Sequence, residues 1–436
     1  MSTPRAGTAT VGRPRRAVAT VVLVVFVDLL GFGVIIPILP YYVRSFGVSD
    51  VYIGLLAASY SLMQFVFAPL LGRLSDRHGR RPVIMLSLTG SAVAWTVFGL
   101  ASAVWMLFVS RLLAGAMGGN IAAAQAYVAD VTPEARRAES LGLVGAAFGL
   151  GFVFGPAIGG FFASDTVVTT ADGLLPDVVP TTRFSVPSFA AAALSLCSFG
   201  LAATFLEEPD RVRSRGPRET VVGQFATALG DDRLRGLVVA FFLLSLAFSG
   251  VQVMFIPFVA DAYGYDASQA ALLLTYVGVW GVFVQGVLVG RLTRRVPIPW
   301  IALGGSVALT AALALLPFSP LVGDLLPIRP VSFLTPPLLV LLLALPLLSL
   351  GNGLLSVGLT TLVSTAASAE TQGRAFGVTQ GAGSLGRTVG PPIMAALYAA
   401  AVYWSPFVVG ALLVLPVFAI LVGMIRRAAV ATVSSR

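Results

Sequence analysis

Lysine is absent from this chain; all 28 of its basic residues are arginine. Histidine and cysteine occur once each, as His78 and Cys197. One cysteine excludes an internal disulfide framework, and one of each excludes a cluster of His and Cys ligands, so no metal is expected. Charge is scarce as well, with 11% of 436 residues charged, against roughly 25% in soluble domains. That scarcity excludes an ordinary water-soluble globule. Also missing are a nucleophile–base set and a Walker-type glycine loop. Neither an enzyme nor an ATP-driven machine is expected, and no cofactor is implied.

What the chain does have is apolar sequence: 57% of its residues are hydrophobic and its mean hydropathy is +0.91. A bilayer core of about 30 Å needs about 20 apolar residues as helix. Twelve stretches meet that length, near residues 17–40, 51–73, 82–103, 105–130, 139–163, 184–206, 236–260, 268–292, 298–318, 334–364, 374–400 and 403–425. They are called spans 1 to 12 below. The opening run is too long for a signal peptide, carries Asp28, and ends in Pro37 and Pro40 without a small-residue cleavage site.

The net charge of +9 is a topology signal and does not mark a nucleic-acid partner. With the N-terminus placed inside, 23 arginines fall on the inner side, 3 (Arg44, Arg183, Arg329) on the outer side, and 2 (Arg111, Arg387) within spans. This is the positive-inside bias, and it expects both termini in the cytoplasm of a cell whose inner (cytoplasmic) membrane holds the protein. The longest charged interruption then divides the chain. The expected order is a disordered tail at 1–16, a six-span half at 17–207, a cytoplasmic linker at 208–235, a second half at 236–427 and a tail at 428–436.

The halves repeat. Glu139-Ser-Leu-Gly142, Gly151 and Gly155-Pro156 align with Arg374-Ala-Phe-Gly377, Gly386 and Gly390-Pro391 at one offset of 235. Between spans 2 and 3 lies Gly72-Arg-Leu-Ser-Asp76-Arg77-His-Gly79-Arg80-Arg81-Pro82, whose charge density keeps it in water at one membrane face. Its pattern resembles the loop between helices 2 and 3 of the major facilitator transporters. The resemblance implies an all-α polytopic membrane protein, with twelve transmembrane helices in two pseudo-symmetric six-helix bundles and a substrate site near the midplane. Asp76 would accept from N–H groups at the start of span 11, near Gly373, and Arg80 would pair with Asp130. With Gly72, Arg77 and Arg81 these form the expected cytoplasmic gate, the alternative being that the arginines only anchor topology.

Ionisable groups inside a membrane cost at least about 2.5 kcal/mol each and mark function. Asp28 lies twelve residues past Arg16, about 18 Å along a helix, and Arg111 sits at similar depth in span 4. Facing each other, they would neutralise one another. Either the pair fixes helix packing, or Asp28 binds and releases a proton while Arg111 tunes it. Arg387 in span 11 is a candidate for recognising an anion, or it snorkels to the interface. Candidate cavity amides and hydroxyls are Tyr60, Gln64, Asn120, Gln125, Gln252, Gln285, Asn352 and Gln380. In span 5, Gly151, Gly155, Pro156 and Gly159 form a face that lets backbones approach closely.

Along residues 20–165 the likeness narrows. Asp28-Leu-Leu-Gly31-Phe-Gly33 through Pro40, Tyr60-x-x-x-Gln64, Arg111-x-x-Ala-Gly115, Ala126-Tyr127-x-Ala-Asp130 and the span 5 glycines resemble the drug/proton antiporters, including tetracycline exporters. The resemblance implies proton-driven export of amphipathic drug-like compounds, proton coupling through Asp28 and Arg111, and a bendable span 5 seam against the second half. The expected partners are a small-molecule substrate, protons and the lipid bilayer, around a monomer without nucleic acid. The second half departs from the tetracycline exporters: Gly281 stands where they carry a functional histidine, and spans 3 and 9 lack their membrane acids. The alternative reading is a proton-coupled transporter of one metabolite, such as a sugar, organic acid or siderophore.

Overall fold

A computed structural model describes residues 14–118, 120–209, 232–327, 334–366 and 372–434. They are nearly all helical, and ten of the helices are long and apolar enough to cross a membrane. The first half contributes α1 (Pro14–Ile35), α2 (Leu39–Ser45), α3 (Val51–His78), α4 (Arg80–Gly99), α5 (Val104–Met117), α6 (Asn120–Val131), α7 (Glu134–Phe162), α8 (Asp165–Leu174) and α9 (Ser185–Phe205). The second half contributes α10 (Asp232–Tyr263), α11 (Ala267–Phe283), α12 (Ile298–Leu315), α13 (Pro336–Ala366), α14 (Gln372–Ala400) and α15 (Ser405–Ser434).

Each expected span has a helical counterpart, and besides the turn at residues 36–38 that parts α1 from α2 there are three departures. Span 4 arrives as two helices, α5 and α6, the first ending at Met117 with Gly118 in a turn beyond it. The sequence there is Gly118-Gly119-Asn120, and glycine is a poor helix former. A side chain at Gly118 would lie 3.0 Å from Gln64 Nε2 and 3.3 Å from Tyr60 Oη, so the break sits against α3. The second departure is α8, an unforeseen ten-residue helix after α7. Arg183 pairs with its first residue, Asp165, at 2.5 Å, and Thr181 bonds Asp172. The third is that α15 continues to Ser434, through residues expected to be tail.

Two compact units form. The first takes residues 1–47, 59–216 and 267–275; the second takes 48–58, 217–266 and 276–436. The first eight residues of α3 thus group with the second unit and the start of α11 with the first. In the first unit, a core of Val21, Val25, Leu88, Val128, Val144 and Ala202 joins α1, α4, α6, α7 and α9. In the second, α12 and α13 approach so closely that a Cβ on Gly351 would stand 2.3 Å from the Leu309 backbone nitrogen. α11 runs into a π-helical turn at Val284–Leu288 that carries Gln285.

Candidate functional site

The intramembrane charges of the first unit are set among aromatic rings. Asp28, on α1, is half-buried and accepts a hydrogen bond from Ser195 Oγ of α9 at 3.4 Å. Arg111, on α5, is 5% exposed, and its guanidinium carbon lies 4.5 Å from the Trp95 ring centre and 5.0 Å from that of Phe98. A desolvated cation over an aromatic face is held by about 2 kcal/mol or more. Tyr60 of α3 is within electrostatic reach of both Arg111 and Asp28. Phe32, one turn beyond Asp28, packs 5.4 Å from Tyr60, 6.4 Å from Trp95 and 5.9 Å from Phe152.

This differs from the face-to-face neutralisation the sequence suggests. Cation–π contact with Trp95 and Phe98 holds Arg111, and among the described residues its Nε and Nη2 have no hydrogen-bond partner. A buried guanidinium with unspent donors is a receptor for a carboxylate, a carbonyl or another acceptor. Sequence reasoning missed Phe32, Trp95, Phe98 and Phe152. The available signal was the placement of Phe32 at i+4 from the acid, which stacks both on one helix face.

Gln64 joins this group through Gly118, near Tyr60. Gln125, Gln252, Gln285 and Gln380 are exposed and Asn352 is half-buried. Among the described residues none of these six side chains bonds another protein group, so they do not serve as inter-helix ties. Asn120 opens α6, but its side chain lies outside the described residues. Arg387, on α14, is half-buried and donates from Nη2 to Ser384 Oγ at 3.0 Å.

At the other end of the first unit, Arg80 Nε donates to Asp130 Oδ2 at 2.9 Å, as the sequence suggests, and Nη1 donates to Asp76 Oδ1 at 2.8 Å and to Ser75 Oγ at 3.0 Å. Arg81 Nη2 donates to the Ala203 carbonyl at 2.6 Å, closing the end of α9. Arg77 and His78 are exposed, and Gly72 has open space about it. Sequence reasoning missed Glu208. Its carboxylate accepts from the backbone nitrogens of Arg80 and Arg81, each at 2.7 Å, capping α4. Gly79 is required there twice: its φ is +115°, and a side chain would collide with the Glu208 carboxylate at 2.7 Å.

The span 5 glycines need correcting. Expected to face the second half, Gly151, Gly155 and Gly159 instead pack on α1. Added side chains would meet Leu29 Cβ at 2.7 Å, Gly33 Cα at 2.6 Å and the Val34 carbonyl at 2.3 Å. Spacing of four places these three on one helix face, where Gly33 supplies the matching small residue. Pro156, next to Gly155, is buried within α7. Gly160, about 100° further round, is the residue that meets α11: its carbonyl accepts from Ser268 Oγ at 3.0 Å.

Residues 21–335 match the model of the Major Facilitator Superfamily. The tetracycline resistance protein, class G, of Vibrio anguillarum is 30% identical over 92% of this chain and 96% of its own length. Multidrug resistance protein 1 of Bacillus subtilis is 30% identical over 62% of this chain and 65% of its own. Among solved structures, the human organic anion transporter MFSD10 superposes with a TM-score of 0.65 at 24% identity, covering 94% of this chain and 100% of that one. The nucleoside transporter NupG gives 0.74 at 12% identity, covering 94% and 99%. With its helical architecture and its family match in agreement, the chain belongs to the major facilitator superfamily of membrane transporters, which are not enzymes.

Proposed function

We propose that this protein is a proton-coupled efflux antiporter of drug-like amphipathic compounds, working by alternating access. One observation carries the reading: within one bundle, an intramembrane carboxylate and a buried arginine with donors unbonded among the described residues are both near Tyr60 in an aromatic cluster. Rings of Phe32, Tyr60, Trp95 and Phe98 suit a flat or cationic organic molecule, while Asp28 is the proton carrier. Substrate entering near Asp28 favours its charged form if cationic, and release lets a proton return; each state is thereby linked to the other. Gly72, Asp76, Arg77, Arg80, Arg81 and Asp130 form the cytoplasmic gate, and both termini lie in the cytoplasm of an inner-membrane monomer. The tetracycline and multidrug relatives support efflux. Lacking a histidine at Gly281, this chain is expected to handle tetracycline less well than other amphipathic drugs.

Arg111 and Arg387 favour a second reading, transport of an organic acid. Uptake into inverted membrane vesicles, with and without an imposed pH gradient, separates the two across a panel of lipophilic cations, neutral drugs and organic acids. The proposal expects gradient-dependent accumulation of cations or neutral drugs, and loss of that coupling in Asp28→Asn at unchanged expression. A panel in which only organic acids accumulate supports the second reading, and gradient-independent flux excludes both.

A further inference from the structure

A groove of about 780 Å³ lies between the first turns of α1 and the first half of α7, wholly within the first unit. None of its lining residues belongs to the aromatic cluster described above. Its walls are apolar, made by Val22, Phe26, Ala147 and Leu150. Its mouth is polar, with Arg15, Arg136, Thr132 and Glu139 at one end. Arg15 and Arg136 are exposed, and neither takes part in the ion pairs found among the described residues. Thr132 is 4% exposed, and its Oγ1 has no hydrogen-bond partner among the described residues. A buried hydroxyl in that condition is costly unless a ligand atom meets it.

The dimensions point to an occupant. From Arg15 to Phe26, α1 rises about 16 Å, and from Arg136 to Leu150, α7 rises about 21 Å. Half a hydrocarbon core of about 30 Å is about 15 Å. The groove is therefore one leaflet deep, charged at its water end and greasy below. We infer that it holds one anionic phospholipid of the cytoplasmic leaflet, its phosphate set between Arg15, Arg136 and Thr132 Oγ1 and an acyl chain running down past Val22 and Phe26. Two guanidiniums against one carboxylate, Glu139, among the described lining residues select a net negative headgroup over a zwitterionic one. The inference rests on the cytoplasmic placement of the N-terminus proposed above, and not on proton coupling.

The test is native mass spectrometry of the delipidated full-length protein, titrated with phosphatidylglycerol, phosphatidylethanolamine or phosphatidylcholine. Phosphatidylglycerol is expected to be retained in excess. Arg136→Gln and Arg15→Gln should each lower that retention about fivefold, the worth of one arginine near a membrane surface. Glu139→Gln should raise it, which keeps the test open if the arginine variants do not fold. Equal retention of the three lipids, indifference to all three substitutions, or displacement of the lipid by a transported solute overturns the inference. So does an N-terminal tag that proteases reach from outside the cell. Failure of proton-driven transport leaves it standing.

Discussion

Arg111 is the residue on which most of the local chemistry turns. Its guanidinium is buried over the rings of Trp95 and Phe98, with two nitrogens unbonded among the described residues. A lysine in its place keeps the charge but loses the fork of donors and the broad, weakly hydrated cation that sits over the rings. Arg111→Lys is accordingly expected to lose more than about tenfold in transport rate, a cost of about 1.4 kcal/mol, at unchanged expression. Trp95→Phe, which keeps a ring, should retain more transport than Trp95→Ala, measured in the same vesicles. Glu208→Gln removes a charged cap from two backbone N–H groups of α4. It should destabilise the protein by about 1 kcal/mol, read as a lower midpoint of thermal unfolding in detergent. At this scale the sequence exposed the rare groups, because a charge in an apolar run is conspicuous. It hid their neighbours: Glu208 lies 127 residues along the chain from the turn it caps, within what reads as the charged linker.

Among the elements, α7 shows how periodicity reveals a face without revealing what covers it. Glycines spaced by four announce a close-packed seam, and the seam exists. Its partner is α1, because Gly33 is the complementary small residue, and no property of residues 145–160 alone points to it. Gly155→Leu would drive a side chain into Gly33, whose Cα lies 2.6 Å from the first added atom. That variant should fail to accumulate as folded protein. Gly145→Ala, in the same helix, meets nothing within 4 Å and should behave as the parent. Fluorescence-detected size-exclusion chromatography of the two variants distinguishes a specific seam from general glycine sensitivity. The break between α5 and α6 was harder to foresee, since hydropathy runs unbroken through Gly118 and Gly119 and only their poor helix propensity marks the place.

For the whole molecule, the apolar stretches carried the helical architecture, because lipid leaves a chain few alternatives to helices. The extra helix α8 escaped notice: it is short, polar and outside any span, so neither length nor hydropathy marks it. The repeat at an offset of 235 implies paired bundles, but it cannot say which residues a solute meets. Transport is the level at which the proposal joins Asp28, Arg111 and the aromatic rings: under it, solute and proton compete for the same carboxylate. The direct measurement is proton release from the purified protein in weakly buffered detergent as an exported drug is added, followed with a pH-sensitive dye. Saturable proton release that disappears in Asp28→Asn is the result expected. Drug binding without proton release, or equal release from Asp28→Asn, would contradict it.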